Sequence, residues 1–254
     1  MSEELLRSRE DHVEILTINR PQARNAINLA TAQAISSALD DCESDDGVWV
    51  VILTGAEDKA FSAGMDLKAF AQGEFPATEH GFGGITERRF PKPLICAANG
   101  SAFAGGFEIL LSCDMVIAAE HALFGIPEVS RGLIAGAGGV IRLPQRIPRA
   151  VALEMALSAE PLSAQRAYEV GLVNRVVASS EVLSTALELA HRICANAPLA
   201  VRTSKRVMLD AMDMNERDAW ALNNEAFAVV AGGSDALEGA VAFAEKRAPV
   251  WKGA

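Results

Sequence analysis

The chain has 254 residues and little of what would place it in several large classes. Its four cysteines, Cys42, Cys96, Cys113 and Cys194, are far apart and form no CxxC pair. Most lie among apolar residues, which reads as buried free thiols in a reducing compartment. The four histidines are isolated, so no metal-ligand spacing is present and no metal is expected. No apolar run is long and unbroken enough for a membrane span. The opening MSEELLRSRED has no apolar core of a signal peptide, so a cytoplasmic location is expected. Positive charge is also scarce: 23 Lys and Arg face 33 Asp and Glu, a net charge of −10. A nucleic-acid partner needs clustered cations and is not expected. That balance still leaves room for a local basic pocket holding one phosphorylated ligand. No short-period repeat is evident, and Ser62 and Ser101 stand outside any GxSxG elbow, with no histidine suitably placed for a hydrolase.

What is present is an ordinary globular composition, half of it hydrophobic. The length suits one large domain, or one domain with an appendage. HVEILTIN (12–19) and the continuous apolar run VWVVIL (48–53) read as strands, the second buried on both faces. Between them Leu29, Ala32, Ile35, Leu39 and Cys42 recur at helical spacing. Small residues, Ser62, Ala63 and Gly64, then precede a possible helix. Residues 71–90 carry four glycines, one proline and mixed charge, and read as a mobile loop or lid. Strands are expected at 93–98, 114–119 and 172–177, and helices at 137–143 and 148–157. Ser163 is placed to cap SAQRAYEVG, with Gly171 ending that helix. From 181 the strands stop: 181–196, 198–212, 216–231 and 234–247 read as helices, with Ser234 as an N-cap. A mixed α/β core over 1–196 and a helical region over 197–254 are expected.

The most informative stretch is 91–143. A short apolar strand, Leu94 to Ala98, runs into Asn99-Gly100 and Gly105-Gly106, and Glu108 to Cys113 is apolar enough for a buried helix. The first turn of a helix has unpaired N–H groups and partial positive charge, and glycine lets another group approach them. Such a place suits an oxyanion that forms during a reaction. Glu108 follows Gly105 by three residues, and Glu128 stands in GIPE before a second glycine-rich turn, Gly136 to Gly139. A donor site flanked by two carboxylates is what proton transfer beside a carbonyl requires.

Five segments in order, NRPQARNAIN (19–28), FSAGMDLK (61–68), NGSAFAGGFEILLSCD (99–114), GIPEVSRGLIAGAGG (125–139) and AFAEKRAPVWKGA (242–254), resemble the crotonase, or enoyl-CoA hydratase/isomerase, superfamily. The resemblance covers nearly the whole chain. It implies an α/β fold, a crotonase-type spiral of ββα units with a C-terminal helical region that drives trimer formation, often as a dimer of trimers. It implies acyl-CoA substrates, with fatty-acid or related acyl-CoA metabolism as the setting, and no cofactor beyond the coenzyme A carried by the substrate. Carried over by position, the oxyanion hole is the backbone N–H of Met65 and of Gly105. Ala63, Gly64, Asp66, Leu67 and Lys68 line the CoA arm, and Gln22, Arg24 and Ala26 contact the adenine end. Phe243 and Lys246 belong to the segment that reaches CoA across a subunit boundary.

Hydratases of the superfamily carry both glutamates, at the positions of Glu108 and Glu128, whereas its isomerases usually lack one or both. The resemblance implies that Glu108 takes a proton from water and Glu128 delivers one to C2. FSAGMDLKAFAQGEFP and AFAEKRAPVWKG further resemble the carnitinyl-CoA dehydratase subgroup, whose substrate carries a cationic head group. Phe75, Glu79 and Phe82 are the loop residues that would face such a cation.

Overall fold

The computed structural model describes residues 4–253. In chain order the elements are β1 (Leu5–Glu10), β2 (Val13–Ile18), α1 (Leu29–Ser44), β3 (Val50–Gly55), β4 (Ala60–Ser62), α2 (Leu67–Ala71), β5 (Ala77–Thr78), β6 (Gly81–Phe82), β7 (Leu94–Ala98), β8 (Ser101–Phe103) and α3 (Gly105–Leu111). There follow β9 (Met115–Ala119), β10 (Leu123–Gly125), α4 (Gly139–Arg146), α5 (Arg149–Ser158), β11 (Leu162–Ser163), α6 (Ala164–Glu169), β12 (Arg175–Val177), α7 (Val182–Cys194), α8 (Pro198–Asp210), α9 (Glu216–Ala231) and α10 (Ser234–Glu245).

A six-stranded sheet runs β1-β2-β3-β7-β9-β12, and a four-stranded sheet runs β11-β10-β8-β4. Three times the chain crosses a strand of the large sheet, then a strand of the small one, then a helix: β3-β4-α2, β7-β8-α3 and β9-β10-α4. This is the expected α/β spiral of ββα units. The inner strands of the large sheet pair in parallel and are almost wholly apolar, because helices or the second sheet cover both faces. Helix α7 lies across β2, β3, β7 and β9, and α1 covers β1 and β2. Asn28 starts α1 by accepting the Thr31 N–H, and Ala32, Ile35, Leu39 and Cys42 form its buried stripe. Its far end is capped from the core: fully buried Lys92 donates to the Cys42 and Asp45 carbonyls at 2.6 and 2.7 Å.

Several boundaries differ from expectation for local reasons. Strand β1 was not expected, and it pairs antiparallel with β2 along its whole length. Helix α3 starts at Gly105, three residues before the apolar run, because the glycine pair is its first turn rather than a preceding loop. Helix α4 runs through Pro144 to Arg146. Ser163 caps α6 as expected, accepting the Arg166 N–H, but Ser234 is the first helical residue of α10 and Gly233 is its N-cap. Residues 71–90 are not a surface lid as a whole. They fold into the β5–β6 hairpin and bury Phe82, Ile85 and Phe90. The glycines there serve close approach: a Cβ on Gly84, at φ +71°, would stand 2.3 Å from the Ala32 carbonyl of α1.

Among the described residues no single helix is long and apolar enough to cross a membrane; α9 and α10 pass that test only as a pair bent by 67°.

The contact that fixes α3 against the small sheet is equally tight. A Cβ on Gly106 would stand 2.3 Å from the Ser62 carbonyl of β4. Gly106→Ala is therefore expected to lower stability by about 1–3 kcal/mol through forced backbone separation. Denaturant unfolding checks this, and an unchanged midpoint would show that the strand and helix do not need this distance.

Candidate active site

The short sheet decides what comes together. Strands β4 and β8 are parallel, with Ala60 opposite Ser101 and Ser62 opposite Ala102 across a bulge. Strands β8 and β10 are parallel, with Ala102 opposite Phe124 and Phe103 opposite Gly125. Parallel strands put their C-terminal ends at one edge, so the turns at 63–66, 104–106 and 126–128 are neighbours. The approach is close: a Cβ on Gly64, at φ +88°, would lie 2.9 Å from the Gly105 nitrogen. The Ala104 N–H donates to the Gly125 carbonyl at 2.9 Å. Ala104 itself has φ +52° and ψ −132°, a rare conformation for a residue with a side chain, at the point where strand turns sharply into helix.

Met65 and Gly105 each follow one of these turns. Neither N–H donates a hydrogen bond within the chain among the described residues. Gly105 is the first residue of α3, whose end carries partial positive charge. The flanking N–H groups are engaged, Asp66 with the Ile27 carbonyl at 2.9 Å and Ala63 with the Arg24 carbonyl at 3.0 Å. The arrangement is a pair of adjacent free donors, walled by the Phe82 ring, which a Cβ on Gly105 would meet at 2.5 Å.

Glu108 is one helical turn further along α3 and only 3% exposed. Its Oε1 accepts from the Ala137 N–H at 2.7 Å and the Gly139 N–H at 2.8 Å. Its Oε2 accepts from no protein group among the described residues. Burial pushes the carboxyl above its ordinary pKa, and the two N–H donors and the Arg142 charge oppose this in part. Glu128 is the second residue of the short 3-10 turn Pro127–Arg131, and its Oε2 is buried without a partner among the described residues. Burial raises its pKa as well; its own backbone N–H opposes, and the negative charge of Glu108 raises it further. The effect of the Glu108 charge on Glu128 puts the two carboxyl groups within electrostatic reach. Double ionisation is unfavourable, so one of the pair tends to keep a proton.

The residues matched to the CoA arm fall into two sets. Gln22, Arg24 and Ala26 are carried beside Ala63, Gly64 and Asp66 by backbone bonds from Ala63 to Arg24, from Ile27 to Gly64 at 2.8 Å and from Asp66 to Ile27. Arg24 holds a left-handed conformation, and the side chains of Gln22, Arg24, Leu67 and Lys68 are exposed. Asp66 is occupied internally: it caps α2 through Lys68 and Ala69 and pairs with Arg20 at 2.8 Å. Burial works against its charge, and the Arg20 and backbone bonds prevail, so its pKa is lowered. Phe243 and Lys246 stand apart from this cluster within one chain. Phe243, on α10, is 87% exposed, and Lys246 is the left-handed residue that ends that helix.

An enoyl-CoA hydratase/isomerase family model matches residues 8–254. The chain belongs to the enoyl-CoA hydratase/isomerase family. It is 41% identical to a carnitinyl-CoA dehydratase of Salmonella typhi over 100% of both chains. Among solved structures it is similar to an enoyl-CoA hydratase of Mycobacterium tuberculosis H37Rv, at 46% identity, 100% coverage of both chains and a TM-score of 0.97. A carnitinyl-CoA hydratase of Mycobacterium avium is also 46% identical over 100% of both chains, with a TM-score of 0.81. Membership of this family, the crotonase superfamily, agrees with the spiral of strands and helices described above.

Other residues of this family member's site escape a reading of the sequence. The backbone of Ala137 and Gly139 holds Glu108; the glycine turn at 136–139 was visible, its target was not. Arg20, which locks Asp66, and Ala104, whose φ is positive without a glycine, gave no signal. Of the three loop residues considered for a cationic group, Phe82 packs its ring against Gly105, Phe75 is 59% exposed, and the Glu79 side chain lies in solvent beside His80. Ser62 accepts the Gly64 N–H and Ser101 accepts the Leu123 N–H, so both hydroxyls shape turns.

Burying Glu128 has a measurable consequence. An acid whose folded pKa is raised favours the fold most below its ordinary value of 4.5, and this is lost as pH rises through the folded value. Glu128→Gln carries no charge at any pH. It is expected to raise the melting temperature at neutral pH, with the gain vanishing below 4.5. Scanning calorimetry across pH tests this, and a gain equal at both extremes would disprove it.

Proposed function

We propose that the chain is an enoyl-CoA hydratase, a hydro-lyase that adds water across the 2,3 double bond of a trans-2-enoyl-CoA to give a 3-hydroxyacyl-CoA. The observation that carries this reading is the juxtaposition of two free backbone donors, Met65 and Gly105, with the buried carboxyl group of Glu108 and the half-buried one of Glu128. The thioester oxygen rests on the two N–H groups. Water attacks C3 while its proton passes to Glu108, and negative charge moves onto the thioester oxygen. Donors already in place stabilise that charge, and loss of one such donor typically costs roughly 3–4 kcal/mol. Glu128 then gives its proton to C2. The split of roles follows the surroundings. Glu108 receives two N–H bonds that favour its ionised form, whereas Glu128 has an unpartnered buried oxygen and faces the Glu108 charge. No electrons leave the substrate, so the step calls for no redox cofactor, and coenzyme A arrives with the substrate. Arg24 and Lys68 are the exposed cations suited to its phosphates, beside Gln22, Ala26, Ala63, Gly64 and Leu67.

A second reading keeps the reaction and changes the acyl group. The relatives named carnitinyl-CoA dehydratase and carnitinyl-CoA hydratase favour crotonobetainyl-CoA as substrate. Among the loop residues, the Phe82 ring beside Gly105 is the one that supports this reading.

Glu108→Gln and Glu128→Gln keep size and hydrogen bonding but cannot transfer protons. Each is expected to lower kcat by about a hundredfold or more, since general acid–base groups typically contribute about 10²–10⁴-fold. Acyl-CoA binding should be largely kept, and the double variant should lose much less than the product of the single losses. The loss of enoyl absorbance with crotonyl-, longer-chain and crotonobetainyl-CoA measures all of this. Near-parent turnover in both single variants would refute the hydratase reading.

The helical region beginning at residue 197 is proposed to assemble the protein as a trimer or a dimer of trimers. Trp220, Phe227, Leu237 and Phe243 are all exposed on α9 and α10 of the single chain, and such a patch marks an interface. Light scattering at micromolar concentration should return three or six chain masses; a monomer mass would count against the assembly.

A further inference from the structure

We propose that Arg142 is a positioning residue for the reaction, tying the peptide that holds the Glu108 carboxylate to the segment that walls the Gly105 donor. The inference rests on Glu108 as the base. Where the free Oε2 of Glu108 points is decided by the turn that holds Oε1, through the Ala137 and Gly139 N–H groups. Arg142 grips that turn from two directions. Its backbone N–H donates to the Gly138 carbonyl at 2.8 Å, and its Nη1 donates to the Ala137 carbonyl at 3.4 Å. Its Nη2 donates to the Thr86 carbonyl. Thr86 in turn is bonded through its N–H to the Phe82 carbonyl at 3.2 Å, and the Phe82 ring packs on Gly105.

One planar guanidinium therefore spans the carboxylate's support and the wall of the donor pair. Space for it is kept by Gly138, at φ +103°, whose added Cβ would stand 2.3 Å from Nη1. Arg146, one turn along α4, is a useful contrast. It donates to the Leu111 and Cys113 carbonyls at the far end of α3, at 3.3 and 2.8 Å, away from both carboxylates.

The charge acts in the same direction as the geometry. Glu108 is faced by Arg142 from α4 and by Glu128 from the 127–131 turn; Arg142 is faced by Glu87 and Arg146, and Glu128 by Arg131. Arg142 is thus the cation that favours the ionised form of Glu108.

The test compares R142Q, R142K, R146K and E108Q in the crotonyl-CoA hydration assay, with KM, melting temperature and the pH profile of kcat/KM. In R142Q, kcat should fall about 10- to 100-fold with KM kept, the size expected for a small misplacement of a reacting group. The acidic limb of its kcat/KM profile should move to higher pH, because Glu108 loses the cation that favours ionisation. R142K keeps the charge but not the fork that reaches two carbonyls. It should return the limb to its parent position while kcat stays reduced. R146K should change stability and leave kcat and the limb alone.

Unchanged kcat and limb in a folded R142Q, with E108Q inactive, would overturn the role of Arg142 and leave the hydratase reading standing. An active E108Q would overturn both. If R142Q does not fold, R142K decides: parent-like kcat refutes the role, and reduced kcat with kept KM and melting temperature upholds it.

Discussion

The parallel register of a three-strand seam, β4-β8-β10, is the constraint on which the rest depends. Each strand is only three residues long. Their pairing is what brings three separate turns to one edge, with glycines at the contacts. A methyl group at Gly64, Gly105 or Gly106 would collide with a backbone atom or the Phe82 ring. The N–H groups of Ala63, Gly64, Asp66 and Ala104 around them are engaged, whereas those of Met65 and Gly105 have no acceptor among the described residues. Their freedom follows from the fold and needs no side chain at either position.

Electrostatics then separates two residues of the same type. Glu108 is buried and Glu128 half-buried, and burial pushes both toward the protonated form. The backbone of the 137–139 turn pulls Glu108 back toward ionisation through two N–H bonds, while Glu128, helped by its own N–H and the Arg131 charge, keeps one buried oxygen without a partner among the described residues. The pair is therefore asymmetric before any substrate arrives. The same burial works against folding at neutral pH, so the site holds charge that the rest of the core would exclude.

Two arginines show how a half-buried cation can serve different ends. Arg20 binds the Ala26 carbonyl and the Asp66 carboxylate, and so fixes the strand-like contact between 24–27 and 63–66. Arg142 binds two carbonyls from segments far apart in sequence and stands beside an acid. Neither carries a motif that a reading of one sequence would notice, because Asp66 for Arg20 and the Thr86 carbonyl for Arg142 are brought close only by folding.

Much was nevertheless legible in the residues alone. The apolar run at 48–53, the helical spacing of 29–42, the cap at Ser163 and the strands on either side of 99–114 follow from period, turn chemistry and burial, which are local. The glycine turns and the two glutamates were visible as separate features with a chemical meaning. The small sheet was not expected, since strands of two or three residues have no period to read. The hairpin within 71–90 was mistaken for a lid, because glycines that allow close packing have the same composition as glycines that allow motion. The sequence by itself determined the inner strands of the large sheet, most of the helices and the family, and it marked Glu108 and Glu128 as the candidate acids. Tertiary structure alone decided which N–H groups stay free, which carboxyl oxygen is held, and which arginine faces the acid, because each depends on atoms that meet only through the register of the short sheet.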